Sequence, residues 1–176
     1  VCGAVVMYNV PVFNDNCDGF GLAGTLTEGL ASGATFPVGT TTVRYEYYDA
    51  SGNGPAVCTF DVTVNDTELP QITCPANLTV ETDGTLTGSN ILPFTLVGTG
   101  PCGVTVGYIQ PVGTDNCGNP ETDLMSGFGA GANYYEYNGI YTHIWRVTDA
   151  SGNAATCSFT ITIEDPIAPA ITCPAN

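Results

Sequence analysis

Hydrophobic and polar residues alternate along two neighbouring segments in the first third of the chain. The hydrophobic positions are Val43, Tyr45 and Tyr47 in one segment and Cys58, Phe60, Val62 and Val64 in the next. A period of two places these side chains on one face of a β-strand. Between the two segments stands the sequence DASGN (49–53), whose Gly and Asn tolerate a positive φ. The pattern therefore predicts an antiparallel β-hairpin.

The same pattern returns about 100 residues later. Cys2, Cys17, Gly39 and the DASGN turn recur, shifted by 100, as Cys102, Cys117, Gly139 and 149–153. With a shift of 99, Cys58, Ile72, Cys74 and Asn77 recur as Cys157, Ile171, Cys173 and Asn176. The second copy predicts strands at 144–147 and 159–163, and no segment sustains a period of 3.6. We therefore predict an all-β protein of tandem immunoglobulin-like β-sandwich modules with almost no helix.

Composition narrows the class of protein. Among 176 residues, 43% are hydrophobic, and 22 Gly and 12 Pro indicate a globular chain with frequent turns. Seventeen acidic residues against two basic ones give a net charge of −15, which disfavours nucleic acid and anionic membrane surfaces as partners. No apolar run is long enough for membrane insertion. Eight cysteines without a CxxC pair indicate disulfides, and hence an extracellular or cell-surface location.

Three motifs resemble those of the hyalin repeat (HYR). They are FPVGTTTV at 36–43, DASGN at 49–53 and TCPAN at 73–77. The resemblance covers nearly the whole chain and implies an extracellular, immunoglobulin-like module associated with adhesion. The second copy departs from it where Asn138-Gly139-Ile140 replaces Val38-Gly39-Thr40.

Alignment of the copies predicts one complete module and two partial ones. Residues 67–167 are expected to form a whole module, whereas 1–66 are expected to lack its first strand. Residues 168–176 are expected to be the first strand of a following module, because Ile171 and Cys173 match Ile72 and Cys74.

If the four cysteines of a module pair locally, this arrangement predicts the disulfides. The expected pairs are Cys102 with Cys117, by analogy Cys2 with Cys17, and Cys74 with Cys157. Cys58 and Cys173 are left over, a module apart, and too distant to bond to each other in one extended chain. Either they pair with further repeats of a longer array, or the 168–176 strand of one copy completes the first module of the next.

Both alternatives predict a structural subunit of an extracellular filament or matrix fibre, in which copies join head to tail through strand complementation and disulfides. The inter-subunit residues would be Cys58, Cys173 and Ile171. The alternative function is an adhesive or carbohydrate-binding module of a larger cell-surface protein. For it, Tyr134, Tyr135 and Tyr137, in a Gly-rich segment, are the expected exposed contact surface.

Little in the sequence indicates catalysis, and we predict that the protein is not an enzyme. The one histidine, His143, replaces Val43 at a strand position and is expected to pack rather than to act as a base. Trp145 aligns with Tyr45 and is expected in the core.

Cation binding and glycosylation are the remaining possibilities in the sequence. We expect no cofactor; the alternative is calcium at Asp66, Glu68 and Asp165 near the module junctions, where the simpler interpretation is that carboxylates form turns. The sequons at Asn65 and Asn77 are candidate glycan attachment sites.

Overall fold

The computed structural model describes residues 2–83, 86–87, 94–100, 103–134 and 139–173. Every regular element within these ranges is a β-strand, which confirms the all-β class. The chain divides into two compact units, Val1–Glu68 and Leu69–Asn176. Nowhere in the described residues is there a helix with the length and apolar character needed to cross a bilayer.

Residues 2–68 of the first unit form seven strands. They are β1 (Ala4–Val5), β2 (Val12–Asp15), β3 (Gly19–Ala23), β4 (Thr25–Glu28), β5 (Thr35–Phe36), β6 (Gly39–Tyr47) and β7 (Ala56–Val64). β1 pairs with β5, β2 pairs with β3, and the remaining three form a sheet in the order β4-β6-β7. Its buried core consists of Phe36, Val43, Tyr45 and Val64, with further half-buried side chains around them.

In the second unit, the described residues form eight strands. They are β8 (Leu78–Glu81), β9 (Leu86–Thr87), β10 (Phe94–Gly100), β11 (Gly103–Tyr108), β12 (Glu121–Ser126), β13 (Ala132–Tyr134), β14 (Gly139–Thr148) and β15 (Ala154–Glu164). One sheet has the order β12-β14-β15-β8-β9 and the other β10-β11-β13. The buried side chains of both sheets form one cluster: Leu78, Val80, Trp145, Phe159, Ile161 and Ile163 from the first, and Phe94, Val104, Val106, Tyr108 and Tyr134 from the second. This is the packing of a β-sandwich.

Both predicted hairpins are present. β6 pairs antiparallel with β7 and β14 with β15, each around a DASGN turn. In each turn the aspartate carboxylate accepts hydrogen bonds from the backbone and side-chain nitrogens of the asparagine four residues later, Asp49 from Asn53 and Asp149 from Asn153. Gly52 and Gly152 have φ of 85° and 91°, a left-handed conformation that favours glycine.

The opening of the complete module differs from the prediction. Residues 70–77, the equivalent of 169–176, were expected to form its first strand, but apart from an isolated bridge at Gln71 they are not paired as a strand, and the first strand is β8, which begins at Leu78. Pro75 lies in this segment and has no backbone N–H to donate to a ladder. Residues 169–173, the repeat equivalent of 70–74, are likewise not in a strand. The described part of the segment that was expected to be donated therefore contains a cysteine but no strand.

Candidate functional site

A disulfide joins the opening segment of the second unit to β15. Cys74, in the opening segment, bonds to Cys157 on β15, with a Cα–Cα distance of 5.5 Å and 83 residues between them in sequence. Both cysteines are half-buried against the core cluster. We call this bond, together with the opening segment 70–77, the latch.

Contacts on both sides of Cys74 hold the latch in place. Gln71 and Thr114 exchange two backbone N–H···O hydrogen bonds of 2.8 Å. Farther along, the Asn77 Oδ1 accepts a hydrogen bond of 2.9 Å from the backbone N–H of Thr160 on β15. Directly after Asn77 the chain enters β8, which runs parallel to β15 with Leu78 opposite Ile161. The latch thus positions β8 beside the edge of β15, in the register that places Leu78 opposite Ile161.

In the second unit, Cys157 and β15 receive the opening segment, and we call them the receiving half of the latch. The first unit contains their equivalents, Cys58 and β7. Cys58 on β7 lies opposite Tyr45 of β6, just as Cys157 on β15 lies opposite Trp145 of β14. Cys58 is half-buried and has a free thiol. Among the described strands β7 pairs with β6 alone, whereas β15 lies between β14 and β8. The edge of β7 that corresponds to the one covered by β8 has no strand beside it in the described part of the chain.

We call the opening segment 70–77 the inserted half of the latch. Residues 169–173 are the equivalent of its first five residues, 70–74. Ile171 is 89% exposed, although its repeat partner Ile72 packs against the core of the second unit. Cys173 is exposed and free. The structure thus leaves Cys58, Cys173 and Ile171 without the contacts that their equivalents make in the complete module.

Of the other two predicted pairs, that of Cys2 with Cys17 is wrong. Cys17 is a free, exposed thiol, so the predicted bond between Cys2 and Cys17 is not formed. Cys17 lies in the tight β2–β3 turn, where its N–H donates to Asp15, whereas Cys2 precedes β1, and these strands belong to different sheets. Cys2 and Cys117 are each disulfide-bonded. Cys102, the predicted partner of Cys117, lies outside the described residues.

The acidic residues near the junctions form turns. The Asp66 Oδ1 accepts a hydrogen bond from the backbone N–H of Glu68, at 3.1 Å. The Asp165 Oδ1 accepts from the backbone N–H of Ile167 at 3.0 Å and from the hydroxyl of Thr82 at 3.2 Å. Such contacts are typical of aspartate in turns, and calcium binding at Asp66, Glu68 and Asp165 stays a prediction.

Both sequon asparagines are exposed. Asn65 directly follows β7, and Asn77 directly precedes β8. The Oδ1 of Asn77 accepts a hydrogen bond from β15, whereas an N-linked glycan is attached to the amide nitrogen of the side chain. Glycosylation at Asn65 and Asn77 stays a prediction.

An aromatic cluster surrounds His143 in the second unit. The ring is fully buried, stacks on Phe159 with a centroid distance of 4.7 Å, and lies edge-on to Tyr108. Its Nε2 is 3.0 Å from the hydroxyl oxygen of Tyr134. The predictions that His143 packs and that Trp145, 4% exposed, lies in the core are confirmed.

The prediction that Tyr134 belongs to an exposed contact surface is wrong. Tyr134 is fully buried, because β13 pairs with β11 and places Tyr134 opposite Val104 inside the sandwich. Tyr135 and Tyr137 lie outside the described residues. The neighbouring glycines suggested an exposed loop, but the pairing partner of Tyr134 lies 30 residues away, where a local pattern does not show it.

Burial lowers the pKa of His143 below its usual 6.5, because the charged ring would lose its hydration. The folded unit thus binds a proton less readily than the unfolded chain. The free energy of unfolding of the second unit is therefore highest above about pH 6.5, where His143 is neutral in both the folded and the unfolded state. It falls as the pH is lowered further. Each unit of pKa difference corresponds to about 1.4 kcal/mol.

We therefore expect the melting temperature of the second unit to fall by several degrees between pH 7.5 and pH 5, followed through Trp145 fluorescence. His143→Phe keeps the stacking on Phe159 and removes the proton site, so its profile should be nearly flat in this range. In the same unit, burial raises the pKa of Asp149, but hydrogen bonds from Asn153 outweigh it and leave this pKa below its usual value, so Asp149 affects stability only below about pH 4. Equal slopes for the two proteins would contradict the assignment to His143.

Comparison with known proteins agrees with the architecture. Residues 1–64 match the sequence profile of the HYR domain. A protein named Hyalin from Strongylocentrotus purpuratus is 33% identical over 166 residues, which is 94% of this chain and 12% of that protein. A second Hyalin, from Lytechinus variegatus, is 33% identical over 175 residues, 98% of this chain and 29% of that protein.

The chain thus spans less than a third of either relative. The similarity nevertheless extends over both units, and the profile match includes FPVGTTTV and DASGN, which carried the resemblance in the sequence. The HYR resemblance is thereby confirmed, and residues 1–64 belong to the HYR domain family within a chain similar to hyalin along almost its whole length.

Proposed function

We propose that this chain is a structural subunit of an extracellular filament or matrix fibre, in which HYR modules are joined head to tail through the latch. The observation that carries the proposal is that one latch is closed, between Cys74 and Cys157, while the equivalents of its two halves, Cys173 and Cys58, are both free. An extracellular location is supported by the closed disulfide and by the similarity to hyalin.

A junction between two modules would need the same parts as the latch of the second unit. In the second unit the latch brings in a cysteine, a half-buried isoleucine and then β8. Residues 169–173 supply the equivalents of the first two, and the strand equivalent to β8 would have to follow them. The receiving module either follows in the same polypeptide or belongs to another copy. In both arrangements the contact is heterologous, since the inserted segment and the receiving edge are different surfaces, and such contacts propagate into a thread.

The test uses the 176-residue chain expressed in an oxidising compartment. In the repeat, Cys173 corresponds to Cys74 and Cys58 corresponds to Cys157. Cys173 of one copy should therefore bond to Cys58 of another copy, and we expect a ladder of disulfide-linked copies in non-reducing, denaturing electrophoresis. Reductant should collapse the ladder to a single band. Either Cys58→Ser or Cys173→Ser should abolish the ladder, because each removes one half of the latch.

Cys17→Ser is the matched control, because Cys17 is also free and exposed but is not part of the latch. It should leave the ladder unchanged. A ladder that depends on Cys17 would count against the latch as the junction, and a wild-type chain that stays monomeric with a free thiol at Cys173 would count against junctions between separate copies. Peptide mapping without reduction identifies the bonded pair directly.

A further inference from the structure

A groove lies on the outer face of the β4-β6-β7 sheet in the first unit. It has a volume of about 350 Å³, and its walls are formed by Ala23, Thr25, Thr27, Glu46, Tyr47 and Tyr48. This is within the range of small-molecule sites in proteins, roughly 300–1,000 Å³. The groove is separate from the latch cysteine on β7.

Strand alternation produces the outward face of the groove. Leu26 of β4 lies opposite Tyr45 of β6, and both pack toward the core of the unit. The positions on either side of them therefore face outward, which exposes Thr25 and Thr27. Thr25 lies directly opposite Glu46, so a hydroxyl and a carboxylate share this surface.

Tyr47 and Tyr48 both line the groove, but their side chains differ in their contacts. Tyr47 stacks on Phe13 with a centroid distance of 5.8 Å, and its hydroxyl donates a hydrogen bond of 2.8 Å to the Asp18 Oδ2. This hydrogen bond, together with burial, raises the pKa of Tyr47 to about 12, so the phenol stays neutral. Tyr48 is 54% exposed. One ring is therefore held in place by its contacts, and the other presents free surface.

The carboxylate of Glu46 is also held in position. Its Oε1 lies 2.6 Å from the Arg44 guanidinium, two residues earlier on the same face of β6, and its side chain is only 16% exposed. The groove thus combines an exposed aromatic ring, two threonine hydroxyls and an oriented carboxylate.

We propose that this groove binds a neutral saccharide. The C–H face of a sugar ring can pack on Tyr48, while its hydroxyls hydrogen-bond with Thr25, Thr27 and Glu46, the mixture of apolar surface and a few placed polar groups that defines ligand sites. The net charge of −15 would repel polyanionic glycans, so the ligand class is uncharged. This activity goes beyond the filament and would let each subunit contact a glycan.

The second unit provides an internal comparison. There Leu124 lies opposite Trp145 in place of Leu26 opposite Tyr45, with the same irregularity one residue later. The positions of the groove are taken by Asp123, Met125, Arg146, Val147 and Thr148. Arg146 and Asp123 are joined by an ion pair of 3.7 Å, and no aromatic ring stands at these positions. At the equivalent positions of the second unit the combination that suits a sugar is therefore absent, and we expect the saccharide to bind in the groove of the first unit.

The test is titration of the isotopically labelled chain with cellotriose, maltotriose, laminaritriose and chitotriose, followed by amide chemical shifts. At least one trisaccharide should shift the amides of Thr25, Thr27, Glu46 and Tyr48 with a dissociation constant between micromolar and millimolar. Tyr48→Ala should weaken binding at least tenfold, and Tyr48→Phe should retain it because the ring face is preserved. Thr148→Ala, at the equivalent position of the second unit, is the matched control and should bind as the wild type does.

Shifts that map outside the groove, equal binding by Tyr48→Ala, or no shift with any of the four sugars would overturn the proposal. Since Tyr48 is exposed, its variants should keep the wild-type melting temperature, which separates loss of binding from loss of folding. The latch cysteines are not involved, so this outcome is independent of the electrophoretic test of the filament.

Discussion

Replacing Cys74 and Cys157 together by alanine is expected to lower the free energy of unfolding of the second unit by about 4 to 5 kcal/mol. The disulfide closes a loop with a sequence separation of 83 residues, and in the chain-entropy description a loop of this size restricts the unfolded chain by about 4.5 kcal/mol. For a unit of roughly 100 residues this corresponds to a fall in melting temperature of about 20 °C. Thermal unfolding followed by Trp145 fluorescence measures it, since the chain has a single tryptophan.

Cys17→Ala is the control for this experiment, because Cys17 is free and exposed and closes no loop. It should change the stability of the second unit by less than about 0.5 kcal/mol, as surface substitutions usually do. A double alanine variant as stable as the wild type would mean that β8 and the opening segment stay in place without the covalent bond.

Phe159→Ala is expected to destabilise the second unit by about 3 to 5 kcal/mol, the usual cost of truncating a buried aromatic residue. Phe159 is 1% exposed and packs against Phe94, Tyr108 and His143, so its removal leaves a cavity among rings that cannot easily close it. Denaturant unfolding followed through Trp145 gives the value, because Trp145 lies in the same core cluster.

The repeat supplies a matched variant, Phe60→Ala, at the equivalent position of the first unit. Phe60 is only half-buried and has one close aromatic neighbour, Tyr8, at 5.0 Å. We expect a loss of about 1 to 2 kcal/mol there, since less surface is removed from a buried site. Comparable losses at the two positions would show that the first unit is packed as completely as the second.

Local patterns predicted the parts of the fold that depend on neighbouring residues. The alternation from Val43 to Tyr47 and from Cys58 to Val64 indicated two strands with one buried face, and the DASGN turn joined them into a hairpin. Trp145 was expected in the core because it aligns with Tyr45, and both are buried. These features follow from side-chain period, turn chemistry and the alignment of the two copies.

Other features depend on residues far apart in sequence and were not predicted correctly. Tyr134 is buried only because β13 meets β11, a pairing that the glycines around it do not reveal. The opening segment looked like a strand because Ile72 and Cys74 alternate, yet the strand that pairs with β15 begins after it, at Leu78. The groove beside Tyr48 was not anticipated, since it needs the register between β4 and β6 that places Thr25 opposite Glu46.

The latch determines which part of a module bears tension. Because Cys74 and Cys157 are covalently joined, a force applied along the chain passes from one sulfur to the other and bypasses the 83-residue loop. Fully extended, that loop would lengthen the molecule by about 280 Å, at roughly 3.4 Å per residue. A thread of latched modules should therefore stretch little before a covalent bond breaks, whereas reduction would release this length module by module.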